Sequence, residues 1–138
     1  MAVLKRNITV RLHDTDAAGI LFFARQFYFA HDIYEDFMKE IGIPISKALL
    51  EGDYIIPIVH AESQFLKPLR VGDQIDVSLK IASIGNSSYT LEYDFSDQSG
   101  TPVGKTKTVH VTIDRASGAK TALPETLRKG LEEFQAKA

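Results

Sequence analysis

Residues 13–23 read HDTDAAGILFF. An imidazole and two carboxylates stand directly ahead of a small-residue turn and an apolar run. Solvated loops do not need the apolar run, and core strands do not want the acids. A carboxylate held at the mouth of an apolar pocket, where a helix begins, satisfies both halves. Asp16 is the candidate: backbone N–H groups and the positive end of a helix dipole favour its charged form there. Ala17, Ala18 and Gly19 are small enough to admit a thin substrate. Leu21, Phe22 and Phe23 can wall a pocket, and the free N–H groups around Phe23 and Ala24 can receive a developing oxyanion. A carboxylate beside an oxyanion site is sufficient machinery for acyl transfer, by direct attack or by activating water. A plainer reading stands beside this one: Asp14 and Asp16 as turn and N-cap residues. Asp14 keeps that reading, as a structural or weakly functional residue.

The flanking pattern says which elements must hold these groups. ITVRLHD alternates, with Ile8, Val10 and Leu12 on one face, as a strand does. From Ala24 to Ile41 the period becomes helical, and Phe27, Ala30, Tyr34, Phe37, Met38 and Ile41 form one bulky stripe. Gly42 stops that helix, Pro44 lies beyond it, and SKALLEG supplies a further turn or two. After Gly52 the alternation is β-like to about residue 115. Val59, Ala61, Ser63 and Phe65 share one face, with His60, Glu62 and Gln64 opposite. The next runs carry Ile75, Val77, Leu79 and Ile81, then Tyr89, Leu91, Tyr93 and Phe95, then Val109, Val111 and Ile113. GNSS marks a hairpin, and Pro124 opens a short helix bearing Leu127, Leu131 and Phe134. Strand, long helix, short helix, four strands and terminal helix make an antiparallel α+β two-layer domain, expected to occupy 1–138 as one unit. A sheet this small cannot easily cover both faces of so apolar a helix, so self-association is expected.

Composition excludes several classes. The chain has 138 residues, 44% apolar and 25% charged, with a formal net charge of −2. No basic field suggests nucleic acid. The absence of cysteine rules out a disulfide framework, a thiolate nucleophile and Cys-based metal sites. It fits a reducing cytoplasm. There is no dinucleotide or Walker loop and no nucleophile elbow. His13, Asp14, Asp16 and His31 lack paired ligand spacing, so no metal is expected. MAVLKRNITVRL lacks the continuous apolar stretch of about 7–15 residues of a signal peptide, and AAGILFFA falls far short of the ~20 residues of a membrane-spanning helix.

DTDAAGILFFARQFYFAHD, followed by VHAESQFLKPLRVGDQIDV, GNSSYTLEYDF and TVHVTIDR, resembles the hot-dog-fold thioesterases of the 4-hydroxybenzoyl-CoA thioesterase type. The likeness runs in order from about residue 6 to residue 124. In the family pattern Asp16 falls on the catalytic acid and Gly19 on the glycine. Phe23 falls where a backbone N–H polarises the thioester carbonyl. Within the family the stretch looks most like the branch acting on 1,4-dihydroxy-2-naphthoyl-CoA in quinone synthesis, with the 4-hydroxybenzoyl-CoA branch close behind. A branch acting on aliphatic acyl-CoAs places histidine where this sequence has Phe23.

The resemblance implies an antiparallel sheet wrapped around one long central helix. It also implies dimers with joined sheets and active sites at their interface, usually paired into tetramers. The implied activity is hydrolysis of an aromatic acyl-CoA without metal or cofactor, coenzyme A being part of the substrate. An aliphatic acyl-CoA, or acyl-CoA binding without hydrolysis, is the alternative. For substrate binding, Phe22 joins Gly19. His60 and Glu62 are candidates to reach across the interface, against a solvated strand face. Lys67, Arg70 and Arg115 are candidates for the coenzyme A phosphates, with Ser87 and Ser88 as donors to the nucleotide. His31 is expected to be a satisfied, partly buried helix residue, and His110 to face solvent or an interface.

Overall fold

The alternating segments form β1 (Leu4–Thr9), β2 (Tyr54–Ile55), β3 (Ile58–Phe65), β4 (Gln74–Ile84), β5 (Ser88–Ser96), β6 (Pro102–Val111) and β7 (Ile113–Asp114). The helical segments form α1 (Phe23–Glu40), α2 (Ile45–Glu51) and α3 (Glu125–Ala136). The computed structural model describes residues 2–137. Five strands make one antiparallel sheet in the order β1-β4-β5-β6-β3, and β2 pairs with β7 separately. α1 touches both edge strands, β1 and β3, as well as β4 and β6, so the sheet curls around it. This is the hot-dog arrangement expected from the resemblance.

α1 is held by what it buries. Phe29, Ile33, Phe37 and Met38 are sealed against the sheet with Ile75, Val77, Leu79, Leu91 and Phe95. Each such side chain contributes on the order of 1.5–3 kcal/mol. Aromatic and β-branched residues are mediocre helix formers, so this stripe stabilises the helix more than propensity does. At its C-terminus Gly42 N–H donates to Lys39 C=O and Ile43 N–H to Met38 C=O, the paired bonds of a glycine-terminated helix. α3 closes that end, with Phe134 edge-on to Phe37 at 4.9 Å between centroids.

Three segments depart from the expected alternation. Leu12 leaves the strand and joins a 3-10 turn, Leu12–Asp14, where it is 77% exposed. In β3 the register shifts between Ile58 and His60, leaving Val59 outside the ladder. The extra residue reverses the face of what precedes it, so Ile58, not Val59, joins Ala61 beside α1. β6 is out of phase with its hydrophobicity: Thr106, Thr108 and His110 point inward and are buried. His110, expected at the surface, is fully enclosed.

The outward face of the sheet carries Glu62, Lys107, Glu92 and Lys80 as one cross-strand row and Gln64, Lys105 and Asp94 as the next. Opposite charges therefore face each other across neighbouring strands, the favourable pairing for a solvated face.

Candidate active site

The loop between β1 and α1 is built around Asp14. Its carboxylate is 2% exposed and accepts hydrogen bonds from the Arg11 backbone N–H at 2.8 Å and from Arg25 Nε at 2.9 Å. Arg25 Nη2 lies 2.7 Å from the same oxygen, Oδ1. The Asp14 carbonyl accepts Phe22 N–H at 2.9 Å. One residue thus ties the loop to the first turn of α1, as its structural assignment anticipated. Arg25, its partner, was not foreseen.

Asp16 sits in the turn that this anchor supports. Its Oδ1 accepts Ala18 N–H at 2.9 Å, its N–H donates to Ile20 C=O, and its C=O accepts Gly19 N–H. Gly19 takes φ +77°, a conformation costly to any residue with a Cβ. The turn leaves the Asp16 side chain exposed at the lip of a cavity of about 330 Å³. Phe22, Phe23, Phe65 and Leu69 form the apolar wall, and Gln26 and Lys67 its polar parts. The Phe23 ring stands edge-on to both Phe22, at 4.9 Å, and Phe65, at 6.4 Å.

The start of α1 faces the same space. Phe22 is its N-cap, offers no side-chain acceptor, and no acid occupies the first turn. Leu21 N–H is taken by Leu69 C=O and Phe22 N–H by Asp14. The next N–H groups, of Phe23 and Ala24, have no acceptor within the helix. Phe22 and Phe23 line the same cavity as Asp16, so these N–H groups and the positive end of the helix dipole lie beside the space that the carboxylate borders. A carbonyl placed between them is polarised at oxygen and open to attack at carbon.

Gln26 is a polar residue in the buried phase of α1, 2% exposed. Its Nε2 donates to Gln64 C=O at 3.1 Å and lies 3.3 Å from both Lys105 C=O and Thr106 Oγ1, latching the helix to β3 and β6. A Cβ on Gly104 would lie 2.6 Å from Gln26 Oε1. Because Gln26 is pinned, Gly104→Ala is expected to lower stability by about 1–3 kcal/mol. Denaturant unfolding of Gly104→Ala, with Gln26→Ala as a relieving partner, checks this. Strict additivity of the two changes would refute the steric account.

Asp16, Phe22, Phe23 and Lys67 therefore converge on one cavity, with Gly19 shaping the turn. Lys67 also lies 3.5 Å from Asp97, whose carboxyl is held below its ordinary range chiefly by the Thr101 backbone N–H. Arg70 is one residue past the cavity wall, and its N–H donates to Asp73. His60 and Glu62 lie on the outward face, on the far side of the sheet from α1, bonded to each other at 2.9 Å. That bond holds the Glu62 carboxyl below its usual range. Ser87, Ser88 and Arg115 lie at the other end of the sheet. The 9-residue β5 separates Ser88 from the Asp97 end, roughly 30 Å at the usual strand rise.

A second cavity, also about 330 Å³, opens farther along the seam between α1 and β3. Phe27, Tyr28 and His31 line it from the helix, Ile58 and Ala61 from β3, and Tyr93 and Thr108 from the sheet. His31 is exposed here, against expectation, and stacks on Tyr34. Beneath the cavity, Tyr93 Oη and Thr108 Oγ1 are 3.0 Å apart, and Thr108 Oγ1 is 2.8 Å from His110 Nε2. The His110 ring stacks against both Tyr34 and Tyr89.

Burial, with a smaller contribution from His31, pushes the His110 imidazole down to about 3 from 6.5. Between those values the unfolded chain holds a proton here that the native protein does not. The stability linked to this group is thus complete above pH 6.5 and is lost as pH falls toward 3, by about 1.4 kcal/mol per unit. Urea unfolding from pH 7 downward should show a steeper acid loss for wild type than for His110→Gln. Equal slopes would contradict it.

A sheet curled around one helix, with a carboxylate and the uncapped start of that helix on one cavity, defines a hot-dog domain. The chain belongs to the Thioesterase-like superfamily, whose family model matches residues 10–131. It is 35% identical over 130 residues to a 1,4-dihydroxy-2-naphthoyl-CoA hydrolase of Rippkaea orientalis, covering 92% of this chain and 94% of that one. It is 36% identical over 126 residues to the hydrolase of the same name from Nostoc punctiforme, covering 91% and 84%. Among solved structures, a 1,4-dihydroxy-2-naphthoyl-CoA thioesterase from Synechocystis superposes with a TM-score of 0.90 at 25% identity, covering 98% and 99%. A gentisyl-coenzyme A thioesterase superposes at 0.82 with 27% identity, covering 93% and 99%.

Proposed function

We propose that this protein hydrolyses the thioester of an aromatic acyl-CoA, with 1,4-dihydroxy-2-naphthoyl-CoA first among the candidates and 4-hydroxybenzoyl-CoA second. The observation that carries the reading is an apolar cavity lined by both the Asp16 carboxylate and the uncapped start of α1. The similarity to hydrolases of this substrate class supports it.

In this mechanism the thioester carbonyl oxygen takes the Phe23 N–H, and the helix dipole stabilises the charge that develops there. Asp16 either attacks the carbonyl carbon, forming an anhydride that water then opens, or removes a proton from the attacking water. In both routes the C–S bond breaks, the sulfur leaves as thiolate and takes a proton. The sum is acyl-CoA plus water giving acid plus coenzyme A. Water and one carboxylate suffice, so no cofactor is invoked. The described residues contain no helix long and apolar enough to cross a membrane, and the reaction is assigned to the cytoplasm.

The working unit in this reading is a homodimer, and a dimer of dimers beyond it. β3 is an edge strand, and Val59, Phe65 and Leu66 are each more than half exposed on or beside it. An unpaired apolar edge invites a further strand. Antiparallel pairing of two β3 edges would bring the Ser87, Ser88 and Arg115 end of one copy toward the Asp16 side of the other. It would also give Lys67 and Arg70 company in binding phosphates.

Thiol release from a panel of thioesters tests the reading: dihydroxynaphthoyl-, hydroxybenzoyl-, phenylacetyl- and graded aliphatic acyl-CoAs. Fast release from an aromatic member is expected. Release from aliphatic members alone would replace the substrate class, and saturable binding without release would replace the enzyme by a binding protein.

A further inference from the structure

His110 Nδ1 is buried and has no hydrogen-bond partner, alone in this among the side chains of the described residues. Its position gives the anomaly a consequence. His110, Thr108 and Tyr93 form a three-membered chain, of which Thr108 and Tyr93 line the second cavity. The chain has two links, and His110 is neutral at ordinary pH. Three hydrogens are available: one on the imidazole and one on each hydroxyl.

Two arrangements are open. With the imidazole hydrogen on Nδ1, Nε2 accepts from Thr108, and Thr108 accepts from Tyr93. All hydroxyl hydrogens are then used, and an N–H is left buried without an acceptor. With the hydrogen on Nε2, it is donated to Thr108 Oγ1, and only a lone pair is left bare at Nδ1. An orphaned N–H is the costlier and rarer of the two. In the second arrangement Thr108 and Tyr93 share one link but hold two hydrogens. Whichever donates to the other, one hydroxyl hydrogen remains and can turn to the cavity.

We infer that His110 sets the floor of the second cavity as a hydrogen-bond donor, and that the floor selects acyl groups carrying an oxygen on the aromatic ring. This inference rests on the thioesterase reading, with the thioester at Asp16 and the ring running along the α1–β3 seam. Phe23 to Phe27 is about 6 Å along the helix at its usual rise, so the two cavities lie within one substrate's reach. Phe27 and Tyr28 clasp an aromatic body, while the hydroxyl at the floor takes an acceptor that a plain hydrocarbon ring lacks. A site with a buried donor rejects the analogue without an acceptor, because the donor is left unpaired.

The test compares kcat/KM for 1,4-dihydroxy-2-naphthoyl-CoA and 2-naphthoyl-CoA. Wild type should prefer the oxygenated thioester. Tyr93→Phe should keep that preference, because the Thr108 hydrogen is then free. Tyr93→Phe with Thr108→Val should reduce it roughly tenfold, the size of one neutral hydrogen bond, and Tyr93→Phe with Thr108→Ser should restore it. The restored variant also shows that the fold is not at fault. Nitrogen NMR of His110 should place the hydrogen on Nε2. A hydrogen on Nδ1, or an equal loss for both thioesters in the Thr108→Val double variant, overturns the inference while leaving the hydrolase reading intact. A wild type that hydrolyses neither thioester overturns the hydrolase reading, and the inference falls with it.

Discussion

Asp16→Asn is expected to lower kcat by about 10²–10⁴-fold, the usual contribution of a positioned acid or base, with little change in KM. The substitution is informative because it spares the turn. Asp16 Oδ1 accepts the Ala18 N–H, and an asparagine carbonyl accepts the same bond. The Ile20 and Gly19 bonds involve only backbone. The variant should therefore match wild type in secondary structure and thermal midpoint while losing its chemistry. Asparagine can neither form an anhydride nor take a proton from water. Asp16→Ala would confound the two effects by deleting the turn bond. An Asp16→Asn enzyme that turns over at near wild-type rate would remove this residue from the mechanism.

The largest loss of stability is expected two residues away, at Asp14. Asp14→Ala strands Arg25, which is 26% exposed at its side chain, and leaves the Arg11 N–H without its acceptor. Breaking one side of such a pair costs about 3–5 kcal/mol, which corresponds to a fall in thermal midpoint on the order of 10–20 °C for a domain of this size. His13 Nε2, 3.4 Å from the same carboxylate oxygen, is largely exposed and cannot replace the lost acceptor. A shift of only a degree or two would show that the pair is dispensable. The two acids of DTD are thus expected to separate cleanly, one acting in folding and the other in the reaction, with calorimetry and kinetics telling them apart.

Much of this arrangement was legible in the sequence, and the omissions share a cause. The long helix, the Gly42 stop and the turn at Ser87 were readable because each is a local pattern with a local cause, although the buried stripe of the helix also takes in Phe29 and Ile33 and leaves Phe27 and Ile41 only partly covered. The carboxylate against an apolar run marked Asp16, Phe22 and Phe23 as neighbours on one cavity, since all three come from one continuous segment. Arg25 was missed because nothing in its neighbourhood marks it; its meaning comes from an acid 11 residues earlier that the loop folds back to meet. β6 was misread for a deeper reason. Its valines suggested the inward phase, yet the inward side chains are Thr106, Thr108 and His110. They are admitted because they bond to Gln26, Ser63 and Tyr93 or to one another, and no count of apolar residues detects that mutual satisfaction. His60 and Glu62 share a face, as the alternation required, but alternation does not say which face meets the helix.

The groups proposed to act on the thioester span only eight consecutive residues, Asp16 to Phe23, whereas the floor of the second cavity is supplied by β5 and β6. The two regions share no covalent neighbourhood and no common hydrogen bond. A protein organised this way can be re-tuned in stages. Substitutions at Tyr93 and Thr108 together would redraw what is accepted without disturbing the loop proposed to do the cutting, so a lineage could change its diet without relearning its chemistry.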